Sequence, residues 1–314
     1  MENYKEKFTE LNKKYEELLK KFEYYTKNMY KPAGHFYSPL PDIDKLKADP
    51  NVFERNKILY GINLNTEVQL KYLECIVKYF EEYPFEGLDK EPDPNLIINP
   101  TYNKNNGLRY KANNTNYAFS DGIFLFGMLR TLNPNKVIEI GCGFSSCLIL
   151  DTNELFFDNK IKTIFIEPYP ELLYSLIKET DDIEVFKSDL QKIDLDVFKQ
   201  LEKNDILFID STHVSKTDSD VNYLLHTVLP NLKKGVYIHF HDIIYPFEYP
   251  ERWIYSGFGW NESYILRSFL QYNESFEIVL FNTYLESEYP YKFKDKMEVC
   301  NKKKGGSIWL KKVK

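Results

Sequence analysis

The second half of the chain repeats one pattern. Short apolar runs rich in β-branched residues alternate with stretches whose apolar positions recur at helical spacing. KVIEI (136–140), KTIFI (162–166), IEVFK (183–187), DILFI (205–209) and GVYIHFH (235–241) read as strands. Segments near 118–132, 146–157, 170–179, 194–202 and 217–231 read as the helices between them. Strands that are apolar throughout, each followed by a helix, build a parallel sheet covered on both faces. Past 241 the alternation loosens. An aromatic loop (243–259) leads to a helix at 260–272, then to FEIVLFN (276–282) and GSIWLKK (306–312), two strands able to pair antiparallel across a loop.

The first 116 residues are patterned differently. Phe8, Leu11, Tyr15, Leu18, Phe22, Tyr25 and Met29 step by three and four along a long helix, with Lys and Glu between them. This seam suits either a second copy of the chain or the protein's own body. Lys31-Pro32-Ala33-Gly34 stops it. Residues 34–64 read as irregular with short helices. A helix spans Leu64–Tyr83 with Asn65 or Thr66 as cap, and 84–116 is loop-like. The division expected is therefore a helical cap and oligomerisation region at 1–116 and a doubly wound α/β domain at 117–314.

Composition narrows the partners. The net charge of −6 over 314 residues gives no counterion-release advantage on nucleic acid. The C-terminal lysines read as a solvated edge. Cys75, Cys142, Cys147 and Cys300 form no CxxC pair and no disulfide framework. The charged N-terminus is unlike a signal peptide, and no apolar run nears the ~20 residues of a membrane helix. A cytoplasmic, membrane-free protein with a small-molecule partner is expected.

In open parallel sheets ligands bind at the carboxyl ends of the strands, so the strand exits belong together. The first is Glu139-Ile140-Gly141-Cys142-Gly143-Phe144-Ser145-Ser146, a glycine turn running into a helix whose free N–H groups face the ligand. The second exit carries Glu167, suited to a ribose diol; Asp189 follows the third strand. The fourth gives Asp210-Ser211-Thr212-His213 and the fifth His241-Asp242. The third glycine of a dinucleotide fingerprint is absent, which disfavours a nicotinamide enzyme.

The set Glu139, Gly141, Gly143 and Glu167, with VIEIGCGFSSCLILDTNE, FIEPYPELL, DILFIDSTHVSKTDSDVNYL, HFHDIIYPFEYP and GGSIWL, resembles class I S-adenosylmethionine-dependent methyltransferases. The likeness is to a bacterial family related to metal-dependent macrolide-sugar O-methyltransferases and the cephalosporin-hydroxylase-like group. It implies a Rossmann-like seven-stranded sheet with the last strand antiparallel. It implies S-adenosylmethionine held by Glu139, Gly141, Gly143, Ser145, Glu167 and Asp189, with Tyr117 and Asp121 near its methionine end. It implies a divalent metal (Mg, Mn or Fe) on Asp210, His241 and Asp242, and His213 as general base. His241 departs from that pattern, which has a carboxylate there. It reads equally as a ligand favouring Fe, Mn, Ni or Zn or as a neutral imidazole bonding its loop. His239, deeper in the strand, reads as a core histidine and His226 as structural; the loop 243–259 reads as a lid. The expected activity is O-methylation of a small-molecule or sugar hydroxyl. The rivals are N- or C-methylation, for example of a 2-oxo acid on bound iron, and a non-catalytic cofactor-binding scaffold.

Overall fold

The computed structural model describes residues 2–27, 29–49, 51–55, 57–98 and 107–314. Seven strands form one sheet: β1 Lys136–Ile140, β2 Lys162–Ile166, β3 Ile183–Phe186, β4 Ile206–Ile209, β5 Tyr237–Phe240, β6 Phe276–Phe281 and β7 Ile308–Lys312. Their order is β3-β2-β1-β4-β5-β7-β6. The first five are parallel, and β7 lies antiparallel between β5 and β6. Residues of β1, β2, β4 and β5 such as Ile138, Ile164, Leu207 and Ile238 are wholly buried, as strands covered on both faces must be.

The chain runs outward through β1, β2 and β3, then returns to start β4 on the other side of β1. That reversal opens a crevice between the carboxyl ends of β1 and β4. The helix Phe119–Leu132, buried on nearly all sides, packs against the helices Thr66–Phe80 and Phe144–Phe157.

Several elements differ from the pattern reading. The helix expected at 194–202 is one turn, Leu195–Phe198, and the one at 217–231 runs from Asp220 to Asn231 with a π turn at Leu224–Val228. The loop between β6 and β7 contains two helices, Asn282–Glu288 and Glu298–Lys302. They stand on tertiary contacts rather than on periodicity: Glu286 binds Ser120 and the Gly305 N–H, and Cys300 is wholly buried.

By compactness the chain falls into two units, Met1–Asn56 with Glu251–Gly259, and Lys57–Pro250 with Trp260–Lys314. In the first, the helix Glu2–Thr26 leaves its seam in solvent: Phe8, Leu11, Tyr15, Leu18, Phe22 and Tyr25 are 59–69% exposed. The same unit holds residues 251–259 of the aromatic loop, where Tyr255 meets Phe53 edge to face. All four cysteines are free thiols. Among the described residues no helix is long and apolar enough to cross a membrane.

Candidate active site

The crevice is built where β1 and β4 end. The Gly141 N–H donates to the Ile166 carbonyl at 3.1 Å, and the Asp210 N–H donates to the Ile140 carbonyl at 2.9 Å. Gly141 has φ +77°, and a Cβ there would lie 1.8 Å from the Asp210 carbonyl oxygen. Only glycine lets the two strand ends meet so closely. The next helix, Phe144–Phe157, starts on Gly143, whose N–H donates to Ser146 Oγ at 3.0 Å.

Glu167 fastens the second exit to the first. Its Oε1 accepts the Tyr169 N–H at 2.8 Å and its Oε2 the Cys142 N–H at 3.3 Å. A cleft of about 470 Å³ opens here, within the range of small-molecule sites. Gly141, Glu167, Tyr169, Asp189, Leu190 and Asp210 are among its walls. Glu139, Gly143, Ser145, Tyr117 and Asp121 do not line it. Glu139 is wholly buried; Oε1 accepts Ser145 Oγ, and Oε2 has no hydrogen-bond partner. Burial pushes its carboxyl up to about 8, against the pull of Ser145 and Ser146. Tyr117 is buried too, with its hydroxyl 3.2 Å from His239 Nε2.

The strand-four and strand-five exits converge. Asp210 Oδ1 lies 3.3 Å from both His213 Nε2 and His241 Nδ1. Asp242 Oδ2 lies 3.6 Å from the first and 3.8 Å from the second. Asp242 reaches this point through a left-handed backbone, φ +56°, which ends β5. The donor atoms of Asp210, His241 and Asp242 all fall within 4.8 Å of one another, which suits a single cation. His241 Nδ1 supplies the test of fit: it is buried, has no hydrogen-bond partner, and faces two carboxylates.

The cluster's charges are strongly coupled. Burial would raise the Asp210 carboxyl, yet the facing imidazoles of His241 and His213 hold it far below the usual range. Burial would lower His213, yet Asp210 and Glu262 push it up to about 10. His241 is raised in the same sense by Asp242, Asp210 and Asp121 against its burial.

Glu262, absent from the sequence-based set, fixes His213. Its Oε2 lies 2.8 Å from His213 Nδ1, and Ser211 Oγ donates to its Oε1 at 3.3 Å. The N–H groups of Asn261 and Glu262 both donate to the His213 carbonyl, at 3.0 and 3.1 Å. The Trp260 ring lies 4.3 Å from the imidazole. So the start of the helix Glu262–Leu270 grips the loop after β4, and Nε2 is left pointing at Asp210 and Asp242. The sequence held a signal for it. Glu262, Leu266 and Leu270 share one buried stripe at i, i+4 and i+8, and a glutamate on such a stripe needs a partner.

The remaining histidines are placed simply. Tyr117 touches the rings of both His239 and His241, so alternate residues of β5 share a face as expected. His239 is a core residue stacked 3.9 Å from Phe208, and burial holds its imidazole down to about 3. His226 is exposed on the π turn, and His35 lies in the N-terminal unit.

Comparison with known proteins bears on the same region. A family described as Methyltransferase domain matches residues 138–243, from within β1 to just past Asp242. A protein of Archaeoglobus fulgidus, described as uncharacterized, is 36% identical over 178 residues, covering 55% of this chain and 74% of its own. Among solved structures, the Podospora anserina methyltransferase PaMTH1 bound to SAH matches at TM-score 0.40 and 12% identity, over 91% of this chain and all of its own. The plantazolicin methyltransferase BpumL with SAH matches at TM-score 0.43 and 13% identity, over 80% and 99%. Residues 138–243 therefore carry a methyltransferase domain, and the sheet order and glycine turn around them are those of the class I S-adenosylmethionine-dependent methyltransferases.

Proposed function

We propose that this methyltransferase acts in the cytoplasm on a hydroxyl of a small molecule or sugar, with a divalent metal holding the acceptor. The observation that carries this reading is the group Asp210, His241 and Asp242, which meets the cofactor cleft at Asp210. Three protein ligands leave coordination positions for an acceptor. A metal there would lower the acceptor's pKa and offset the carboxylate charge that keeps His213 protonated. His213, held by Glu262, then takes the hydroxyl proton at Nε2 as methyl passes in line from sulfur to oxygen. Glu139, Gly141, Gly143 and Ser145 shape the turn that receives the cofactor, Glu167 takes the ribose hydroxyls, and Asp189 and Leu190 border the adenine end.

Calorimetry with S-adenosylhomocysteine tests the cofactor half. The intact protein is expected to bind it, and Glu167→Ala to bind about 10–100-fold more weakly, the loss of two hydrogen bonds to one charged acceptor. Undiminished affinity in the variant removes Glu167 from the site. A second reading is favoured by one feature, the imidazole of His241 among the ligands. It is C-methylation of a 2-oxo acid chelated to iron. Iron retained by the purified protein, with methyl transfer to a 2-oxo acid and none to hydroxyls, selects it.

The exposed seam of the helix Glu2–Thr26 supports a second proposal, self-association. Lys7, Lys14 and Lys21 follow one edge of the seam, while Asn12, Leu19 and Thr26 follow the other. Parallel helices set lysines beside neutral residues, whereas antiparallel helices set lysine beside lysine. A parallel dimer is expected by light scattering, and removal of residues 1–30 is expected to give monomers that still bind S-adenosylhomocysteine. A monomeric full-length chain rejects the dimer.

A further inference from the structure

Asp121 lies on the helix Phe119–Leu132, away from the cofactor cleft, yet it is the most heavily bonded carboxylate near the cluster. The Gly306 N–H donates to both its oxygens at 3.0 Å. Asn282 Nδ2 donates to Oδ1 at 3.1 Å, and so does Ser307 Oγ. A Cβ at position 305 would lie 2.7 Å from the same oxygen, so the Gly305–Gly306 backbone is pressed against it. The carboxylate is buried and surrounded by three hydrogen-bond donors, the setting of an ionised acid. Its Oδ2 faces His241 Nε2 at 3.6 Å, an ion-pair distance that a shift of a few tenths of an ångström makes a hydrogen bond.

We infer that Asp121 is the positioning residue of His241: it holds the ring with Nε2–H turned inward, so that the Nδ1 lone pair faces Asp210 and Asp242 as a metal ligand. An imidazole has two nitrogens, and the partner of one decides the role of the other. With a fixed anion behind Nε2, Nδ1 is left toward the two acids at 3.3 and 3.8 Å. Without a metal that nitrogen holds a proton between the two acids, and a cation standing there would take the proton's place, as ligation by imidazole requires. Glu262 stands behind His213 Nδ1 in the same way, so each imidazole of the cluster is backed by a buried acid and turns its other nitrogen to Asp210. The inference rests on the metal reading proposed above.

Manganese titration tests it, with competition against a fluorescent chelator. Four proteins are compared: wild type, Asp121→Asn, His241→Asp, and the double variant. S-adenosylhomocysteine affinity checks the fold of each. Asp121→Asn is expected to weaken Mn²⁺ binding about 10–100-fold, as loss of a carboxylate behind a ligating histidine does. In the His241→Asp background, where no tautomer needs setting, the same substitution is expected not to weaken it. Unchanged affinity in Asp121→Asn, or an equal loss in both backgrounds, overturns the inference. Wild-type protein that binds S-adenosylhomocysteine but not Mn²⁺ overturns the metal reading itself and this inference with it. A measurement on unaltered sequence covers the case of a variant that fails to fold. In ¹⁵N-histidine protein loaded with ¹¹³Cd²⁺, metal coupling is expected at His241 Nδ1 with Nε2 still protonated, and coupling at Nε2 overturns the inference.

Discussion

Gly141→Ala is expected to abolish useful cofactor binding, weakening S-adenosylhomocysteine by about 100-fold or more in calorimetry. The reason is local and severe. The residue holds φ +77°, a conformation that costs a side-chain-bearing residue about 1–2 kcal/mol. The new methyl would also fall 1.8 Å from the Asp210 carbonyl oxygen and 2.8 Å from its carbonyl carbon, inside any contact distance. Backbone offers no rotamer by which to escape. The ends of β1 and β4 must separate, and with them go the glycine turn and Asp210, the carboxylate on which the two imidazoles converge. Overpacking adds about 1–3 kcal/mol to the backbone strain, and the two together are worth about a hundredfold. A lower melting temperature should accompany the loss. Alanine at 141 with wild-type affinity would mean that the cofactor does not depend on this turn.

How far the sequence spoke for itself varied with the source of order in each part. The strands at 136–140 and 162–166 were legible to the residue, because they are buried on both faces and every position must be apolar or satisfied. The acids and imidazoles at the strand exits were legible for a related reason: in a parallel sheet, sequence position after a strand fixes spatial position at the rim. The helix Asn282–Glu288 was not legible. It is short, it carries the buried polar residues Asn282 and Glu286, and it exists because those residues meet Asp121, Ser120 and Gly305. Asp121 reads from sequence as a residue near the cofactor's methionine end, with nothing to mark Gly306 or His241 as its partners. Its contact with Gly306 joins residues 185 positions apart, and no periodicity carries such a pairing. Glu262 lies between these cases, since its place on an apolar stripe marked it but its partner, 49 positions earlier, did not.

Asp210→Asn should have the largest effect on metal binding. Asp210 is the one carboxylate that stands 3.3 Å from both imidazole nitrogens, and it also borders the cofactor cleft. Its side chain is largely shielded, so the missing charge is poorly replaced by water. Removing one member of a buried charged group costs about 3–5 kcal/mol, which is between two and four decades of affinity. The amide keeps the shape and the backbone bond to Ile140, so S-adenosylhomocysteine binding is expected to change by less than about threefold. A variant that loses Mn²⁺ but keeps the nucleoside would separate the two halves of the site by one atom. The same residues also set which metal the proposed site would prefer. Mg²⁺ prefers oxygen donors and gives up water reluctantly, whereas imidazole suits Mn²⁺, Fe²⁺ and Zn²⁺ better. Purified protein is therefore expected to retain a transition metal in preference to Mg²⁺, by elemental analysis after dialysis against both. Retention of Mg²⁺ alone would place His241 outside the coordination sphere, leaving two carboxylates to hold the ion and the imidazole to serve only as their hydrogen-bond donor.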